Sequence, residues 1–317
     1  MPTADGTGAN MGLAGAYSGL IDNKLFILGG SNFPELPPWE GGKKCWWTDL
    51  YGYDIIQKQW KIKKNFLETG RAYGLSVQLD EGFLCIGGCD EKQCFNTVFL
   101  VKSKRDSIIC DTTAYPPLPI TLANMSGTLL NNKIYVAGGQ ETVINGKSSK
   151  HFLMLNLSAP KKEWIELPCW QGPPLAYSVF VAQSGKLFLF GGRSFGPDEE
   201  TVMHKEGYCF DPETNEWKTL SGQFPAMAGT AMPFGENKIL LFGGVPEILP
   251  TTLSHPGFSS DVLLFDTQKE TLEKISTSDI SIPVTTHLIY KDNYFFITSG
   301  EIKPGIRTPY ILHGLVK

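Results

Sequence analysis

Six times along this 317-residue chain, an apolar run stops dead at two small residues. The runs are Leu25-Phe26-Ile27-Leu28-Gly29-Gly30, Phe83-Leu84-Cys85-Ile86-Gly87-Gly88, Ile134-Tyr135-Val136-Ala137-Gly138-Gly139, Leu187-Phe188-Leu189-Phe190-Gly191-Gly192 and Ile239-Leu240-Leu241-Phe242-Gly243-Gly244, then Phe295-Phe296-Ile297-Thr298-Ser299-Gly300 with Ser in place of the first Gly. The steps between successive pairs are 58, 51, 53, 52 and 56 residues. So regular a period restricts the fold to a repeat architecture, in which each unit buries its apolar face on its neighbours. Every period also parses alike. A small and apolar segment (residues 14–19 in the first) leads to a tight polar turn, Asp22-Asn23. The apolar run follows, then a loop of variable length, then a third extended segment, Asp49-Leu50-Tyr51-Gly52-Tyr53-Asp54. A Trp closes several units: Trp60, Trp164 and Trp217.

Period and signature resemble the kelch repeat, in which Gly-Gly ends the second strand and a Tyr…Trp pair packs between units. The predicted fold is therefore all-β, a six-bladed β-propeller built from kelch repeats, with residues 1–317 as one domain. The Gly pairs are expected to be architectural, where strands crowd towards the axis and a Cβ would clash. The sixth unit is short. After Tyr310-Ile311-Leu312 only residues 313–317 remain, and residues 1–8 are the candidate for its fourth strand, although Gly6 and Gly8 are poor strand formers.

Composition excludes several classes of function. The net charge of −4, with no basic cluster, argues against nucleic acid as a partner. No apolar stretch approaches the length of a membrane span. The first eight residues carry neither a basic nor an apolar region of a signal peptide. The seven Cys and five His are scattered, with no CxxC and no HxxxH, so no metal site is expected. The sequence leaves the oligomeric state open.

In an up-and-down blade, the loops between strands two and three share one end with the connections between blades. Here those loops follow Gly-Gly and are long: residues 31–46, 89–95, 140–150, 193–205, 245–259 and 301–308. The opposite turns are two or three residues. Long loops on one face of a rigid ring are where a site forms. The last loop, Gly300-Glu301-Ile302-Lys303-Pro304-Gly305-Ile306-Arg307-Thr308, holds a carboxylate and a guanidinium six residues apart around a Pro-Gly turn. A turn there brings Glu301 and Arg307 together, either for acid/base work beside an anion clamp or as a plain hairpin ion pair. Arg71 and Tyr73, from the connection into blade two, and Arg193 are expected to be able to point into the same funnel. The first loop is the richest. Asn32 suits a hydroxylated ligand, while Lys43 and Lys44 either draw an anion towards the funnel or are simply solvated. Trp39, Trp46 and Trp47 serve equally well as a sugar platform or as a cap on the blade.

Three segments together resemble the N-acetylneuraminate epimerase (sialic acid mutarotase) family of six-bladed kelch proteins. They are Gly29-Gly30-Ser31-Asn32-Phe33-Pro34 through Gly42-Lys43-Lys44, Gly70-Arg71-Ala72-Tyr73-Gly74, and the Glu301–Arg307 loop. Their order differs from that of the better-known members, in which the Glu/Arg segment lies mid-chain. The resemblance therefore implies a circularly permuted branch. It implies an isomerase that interconverts α and β anomers of N-acetylneuraminate, with a small acidic sugar as substrate and no cofactor. Glu301 would be the general base and acid, and Arg307 the clamp on the substrate carboxylate. Arg71, Tyr73, Asn32, Lys44 and Arg193 would be substrate contacts. Pro174 stands where the family often has Arg, and Thr230 where it often has His; Arg193 is the candidate replacement for the missing cation. Family members act in the periplasm, whereas this chain shows no leader, so the compartment stays open. Two other readings compete: a non-catalytic kelch propeller that binds a protein or an acidic sugar, and a sugar oxidase or lyase on the same fold. A copper oxidase would need converging His and Tyr ligands.

Overall fold

The computed structural model describes residues 1–105, 107–143, 146–195 and 200–316. Parts of the loops at 140–150 and 193–205 lie outside the described residues.

The apolar runs form the second strand of each of six antiparallel sheets. In blade 1 the strands are Tyr17–Ile21, Lys24–Leu28, Leu50–Asp54 and Gln59–Lys63, paired in chain order. Blades 2 to 5 repeat this arrangement, starting from Leu75–Leu79, Ser126–Leu130, Val179–Gln183 and Thr230–Phe234. Blade 6 pairs Leu288–Lys291, Tyr294–Ile297 and Leu312–Leu315. The first strands contact one another around the axis, and that of blade 6 meets that of blade 1, so the ring is closed. The predicted six-bladed β-propeller is the observed fold.

The core lies between blades. Leu84, Ile86 and Leu100 of blade 2 pack on Leu122, Ile134 and Val136 of blade 3. Equivalent clusters fill the other junctions, including Leu20 and Leu25 of blade 1 against Ile289 and Phe296 of blade 6. The Gly pairs serve these junctions. Gly29 and Gly30 have φ of +66° and +86°, and a Cβ on Gly29 would lie 2.5 Å from the carbonyl oxygen of Arg71 in the next blade. That same carbonyl accepts the Gly30 N–H at 2.8 Å. The expected clash is therefore with the backbone of the neighbouring blade rather than with strands crowded at the axis. In blade 6 the hydroxyl of Ser299 takes over the linking role, accepting Leu13 N–H at 2.7 Å and donating to Thr308 O at 2.6 Å.

Closure is completed by a ring of backbone hydrogen bonds. Gly15, Tyr73, Asn124, Tyr177, Ala228 and Thr285 occupy the same place ahead of each first strand, all with φ between +49° and +65°. The N–H of each bonds the carbonyl of the one before: Tyr73 to Gly15 (2.8 Å), Asn124 to Tyr73 (2.8 Å), Tyr177 to Asn124 (2.9 Å), Ala228 to Tyr177 (2.7 Å), Thr285 to Ala228 (3.0 Å) and Gly15 back to Thr285 (2.6 Å). The left-handed backbone turns the five Cβ atoms at these positions, Gly15 having none, off the path of the strand.

The expectation for residues 1–8 is corrected by the structure. They do not line up along Leu312–Leu315. Instead they fold back on themselves, with Pro2 bridged to Ala9 and Asn10 N–H on Met1 O (3.0 Å), while the Met1 ammonium donates to Pro309 O at 2.9 Å. Gly6, at φ +75°, makes the bend that a strand would not tolerate.

Candidate functional site

The cavity sits at the end of the axis where the long loops emerge. It encloses about 1320 Å³. Its floor is made of two concentric sets of homologous positions. The inner set is the hydrogen-bonded ring, of which Tyr73, Asn124, Tyr177, Ala228 and Thr285 line the cavity. The outer set is the residue directly after each small pair: Ser31, Cys89, Gln140, Arg193, Val245 and Glu301. Each is bridged to the residue before its inner neighbour, as Val284 is to Glu301 and Ala176 to Arg193. Only two of the six outer positions carry charge, Glu301 and Arg193.

Glu301 begins a short hairpin, Gly300–Lys303 paired with Ile306–Thr308, which places Arg307 directly across from it. Arg307 Nη2 lies 3.2 Å from Glu301 Oε1, and the Gly305 N–H donates to the same oxygen at 2.9 Å. No described residue bonds Glu301 Oε2. The Arg307 side chain is only 3% exposed, with its Cζ 4.8 Å from the Phe33 ring centroid. Its Nε and Nη1 have no partner among the described residues. A buried guanidinium with unmatched donors is costly, and an anion that reached Nε and Nη1 would remove that deficit.

Lys44 and Arg193 also reach the cavity, each backed by aromatic rings. Lys44 Nζ lies 5.1 Å from the Tyr73 ring, 5.7 Å from Trp46 and 5.8 Å from Phe33, and it donates to Tyr73 Oη at 3.3 Å. Ser31 donates to the same phenol at 2.9 Å. The Arg193 guanidinium stacks 4.2 Å above Tyr177 and 5.0 Å from Phe195. Burial pushes the Tyr177 phenol well up, against the opposing pull of Arg193, so it stays protonated. Burial also pushes the Cys89 and Cys94 thiols up, to about 12 and about 11, which leaves neither as a thiolate nucleophile.

Two expected contacts do not reach the cavity. Arg71 lies over the ring of Phe95 (3.9 Å) and donates to the Thr97 hydroxyl at the junction of blades 1 and 2. The backbone turns inward only at Tyr73, two residues later, so Arg71 stays behind the wall. Asn32 is buried at 5% exposure and has both ends of its amide engaged. Its Nδ2 donates to Gly12 O at 3.0 Å, and its Oδ1 accepts the Trp47 indole N–H at 2.8 Å. Of the three loop tryptophans, Trp46 lines the cavity, Trp47 braces Asn32, and Trp39 packs with Pro38 against Gly305.

Phe33, Asn124, Gln140, Tyr177 and His255 line the cavity but were not selected from the sequence. Aligning the repeats on the residue after each small pair, and on the turn before each first strand, would have found Gln140, Asn124 and Tyr177. Phe33 and His255 lie in loops of unequal length, which no repeat register reaches.

Fold and cavity together define a six-bladed kelch-type propeller with a charged, aromatic-walled cavity at one mouth of its axis. Among the described residues, no helix is long and apolar enough to cross a membrane. A family model described as N-acetylneuraminate epimerase matches residues 115–255. Curated relatives carry the same name. The protein of Yersinia pestis (strain Pestoides F) is 26% identical over 233 residues, covering 64% of this chain and 58% of that protein. The one from Yersinia enterocolitica serotype O:8 is 25% identical over 230 residues, covering 63% and 57%. The one from Brucella melitensis biotype 1 is 25% identical over 233 residues, covering 62% and 57%. The matched stretch thus spans less than two thirds of these relatives' own length.

Proposed function

We propose that the protein is a mutarotase that interconverts the α and β anomers of N-acetylneuraminate, and that it belongs to a circularly permuted branch of the epimerase family. The observation that carries this reading is Arg307, buried beside Glu301 on the cavity wall with two guanidinium nitrogens unpaired. The similarity to curated epimerases supports the choice of sugar. A shift of blade order would confine any linear alignment to part of each chain, in keeping with the 64% and 58% coverage.

The cyclic substrate is a hemiketal with a carboxylate on its anomeric carbon. Anomer exchange requires ring opening to the ketone, rotation about the adjoining bond, and closure on the other face. Arg307 holds the substrate carboxylate and so fixes the anomeric carbon near Glu301. Glu301 Oε1 is held by Gly305 and Arg307, which leaves Oε2 to take the proton of the anomeric hydroxyl. As the carbon–oxygen bond of the ring breaks, the ring oxygen takes up a proton, delivered by the same carboxyl or relayed through the Tyr73 hydroxyl. Closure reverses these transfers on the opposite face. Lys44 and Arg193 put positive charge on the cavity wall where an acidic sugar can pair with it, on a lining that also carries Asp90, Glu91 and Glu247.

The test is proton NMR of freshly released α-N-acetylneuraminate with wild type, Glu301→Gln and buffer alone. The expected result is a faster appearance of the β anomer with wild type only. A wild-type rate equal to that of buffer refutes the enzymatic reading for this sugar and leaves a propeller that binds without catalysis.

A further inference from the structure

We propose that His255 is a further substrate-binding residue of this cavity, donating its Nε2–H to an oxygen of the bound sugar other than those of the carboxylate. The identity of the ligand rests on the mutarotase reading; the donor itself rests on geometry. His255 is 9% exposed and lines the cavity from the long loop of blade 5. Its Nδ1 accepts the Gly257 N–H at 3.0 Å. A ring nitrogen that accepts a backbone N–H carries no proton, so the proton of the neutral imidazole is on Nε2. No described residue accepts a hydrogen bond from that Nε2–H. The ring is held edge-on by Phe258, with centroids 5.6 Å apart.

The loop is tied to the strand that carries Glu301. On one side of His255, the Leu253 carbonyl accepts Lys303 Nζ at 3.2 Å; on the other, Phe258 N–H donates to Ile302 O at 2.8 Å. These bonds fall on the two residues that follow Glu301. The imidazole is therefore a preorganised donor on the blade 5 side of the site, ready for a ring or hydroxyl oxygen once Arg307 holds the carboxylate. An imidazole N–H donor there adds hydrogen-bonding specificity to the pairing of the carboxylate with Arg307.

The experiment has two arms on the full chain. Long-range 1H–15N correlation of the imidazoles in the free protein reports the tautomer of His255 and does not depend on any activity. The expected result is Nε2–H, and an Nδ1–H tautomer overturns the proposal whatever the function. The second arm measures anomer exchange and KM for N-acetylneuraminate in wild type, His255→Gln and His255→Leu. Gln places an amide N–H near the position of Nε2, so it is expected to stay within about threefold of wild type, while Leu raises KM by about tenfold. Equal KM for Leu and wild type overturns the proposal while the mutarotase reading stands. An inert wild type overturns that reading, and the substrate assignment of His255 falls with it.

Discussion

Replacing Gly305 with Ala tests what holds Glu301 in its working position. Gly305 sits at φ +78° at the tip of the Glu301–Arg307 hairpin. An L-residue there pays about 1–2 kcal/mol in backbone strain. The added Cβ would also lie 2.4 Å from Pro38 Cγ and 2.6 Å from its Cδ, with the Trp39 ring at 3.3 Å. Pro38 cannot yield easily, because Pro38–Glu40 is a turn closed by Glu40 N–H on Pro37 O (3.0 Å) and Gly41 N–H on Pro38 O (3.2 Å). The hairpin tip must therefore move, and the Gly305 N–H leaves Glu301 Oε1. A hydrogen bond to a charged group contributes about 1.5–3 kcal/mol. If Glu301 is the acid/base group proposed above, that loss is expected to lower kcat/KM about 10- to 100-fold. Urea unfolding should show a loss of about 1–3 kcal/mol, the size of an overpacking defect. Pro38→Ala in the same chain removes the clash but not the backbone strain, so the double variant should recover part of both losses. Wild-type kcat/KM in Gly305→Ala would refute the claim that this turn aims Glu301, and a double variant no better than the single would refute the role of Pro38.

Three further outcomes are expected. His287, at the axial channel, donates Nε2–H to Gly74 O at 3.1 Å, and burial lowers its pKa from 6.5 to about 4. Protons between those values bind only the unfolded chain, so its contribution is complete above about pH 6.5 and is lost as pH falls towards 4. The difference of about 2.5 units sets a ceiling of about 3.4 kcal/mol, and the partial exposure of the His287 side chain brings the expected loss to about 2 kcal/mol. His287→Gln keeps a donor but not the titration, so urea unfolding at pH 7.5 and 4.5 should show a smaller acid loss than wild type; equal losses would contradict the assignment. Arg307→Met should lower kcat/KM at least about 100-fold, chiefly through KM, with Lys restoring only part because an ammonium cannot pair bidentately; an unchanged KM would remove Arg307 from the carboxylate. Arg71→Met should leave KM within about twofold while lowering stability by about 1 kcal/mol, through loss of its stacking on Phe95 and its bond to Thr97; a large rise in KM would put Arg71 back in the cavity.

The repeat was legible because its cause is local. In each of five units both residues of the pair adopt positive φ, and in blades 1 to 3 a Cβ on the first would lie within 2.5 Å of a carbonyl oxygen of the next blade, which leaves the Gly-Gly mark. The Glu301–Arg307 pair was legible for a similar reason, since Pro304-Gly305 announces the turn that folds one onto the other. Arg71 and Asn32 misled because residue type was taken as a guide to direction. A guanidinium satisfied by Phe95 and Thr97 and an amide satisfied by Gly12 and Trp47 read, in sequence, like their counterparts in a binding site. What separates them is a single positive φ at Tyr73 and one indole N–H, and neither leaves a trace in composition or spacing.

The two floor rings explain how a near-symmetric molecule carries unlike side chains at equivalent places. Closure demands the same backbone at all six inner positions, yet each inner Cβ is turned away from the hydrogen bonds that close the ring. Side chains there are free to differ: none at Gly15, phenols at Tyr73 and Tyr177, an amide at Asn124, a methyl at Ala228 and a hydroxyl at Thr285. The outer positions behave likewise, with Arg193 and Glu301 standing at equivalent places two blades apart. The fold is therefore indifferent to which blade carries the carboxylate, so long as the neighbouring loops supply what it needs. For Glu301 those neighbours are blade 1, whose Pro38 and Phe33 press on Gly305 and Arg307, and blade 5, whose loop is pinned to Ile302. A cut in the ring at any other junction preserves both contacts. A cut between blades 6 and 1 leaves the Glu301 hairpin and its blade 1 support at opposite ends of the chain, where the link from Met1 to Pro309 and that from Leu13 to Ser299 hold them together. Removing residues 1–10 should therefore lower kcat/KM along with stability, although none of those residues lines the cavity.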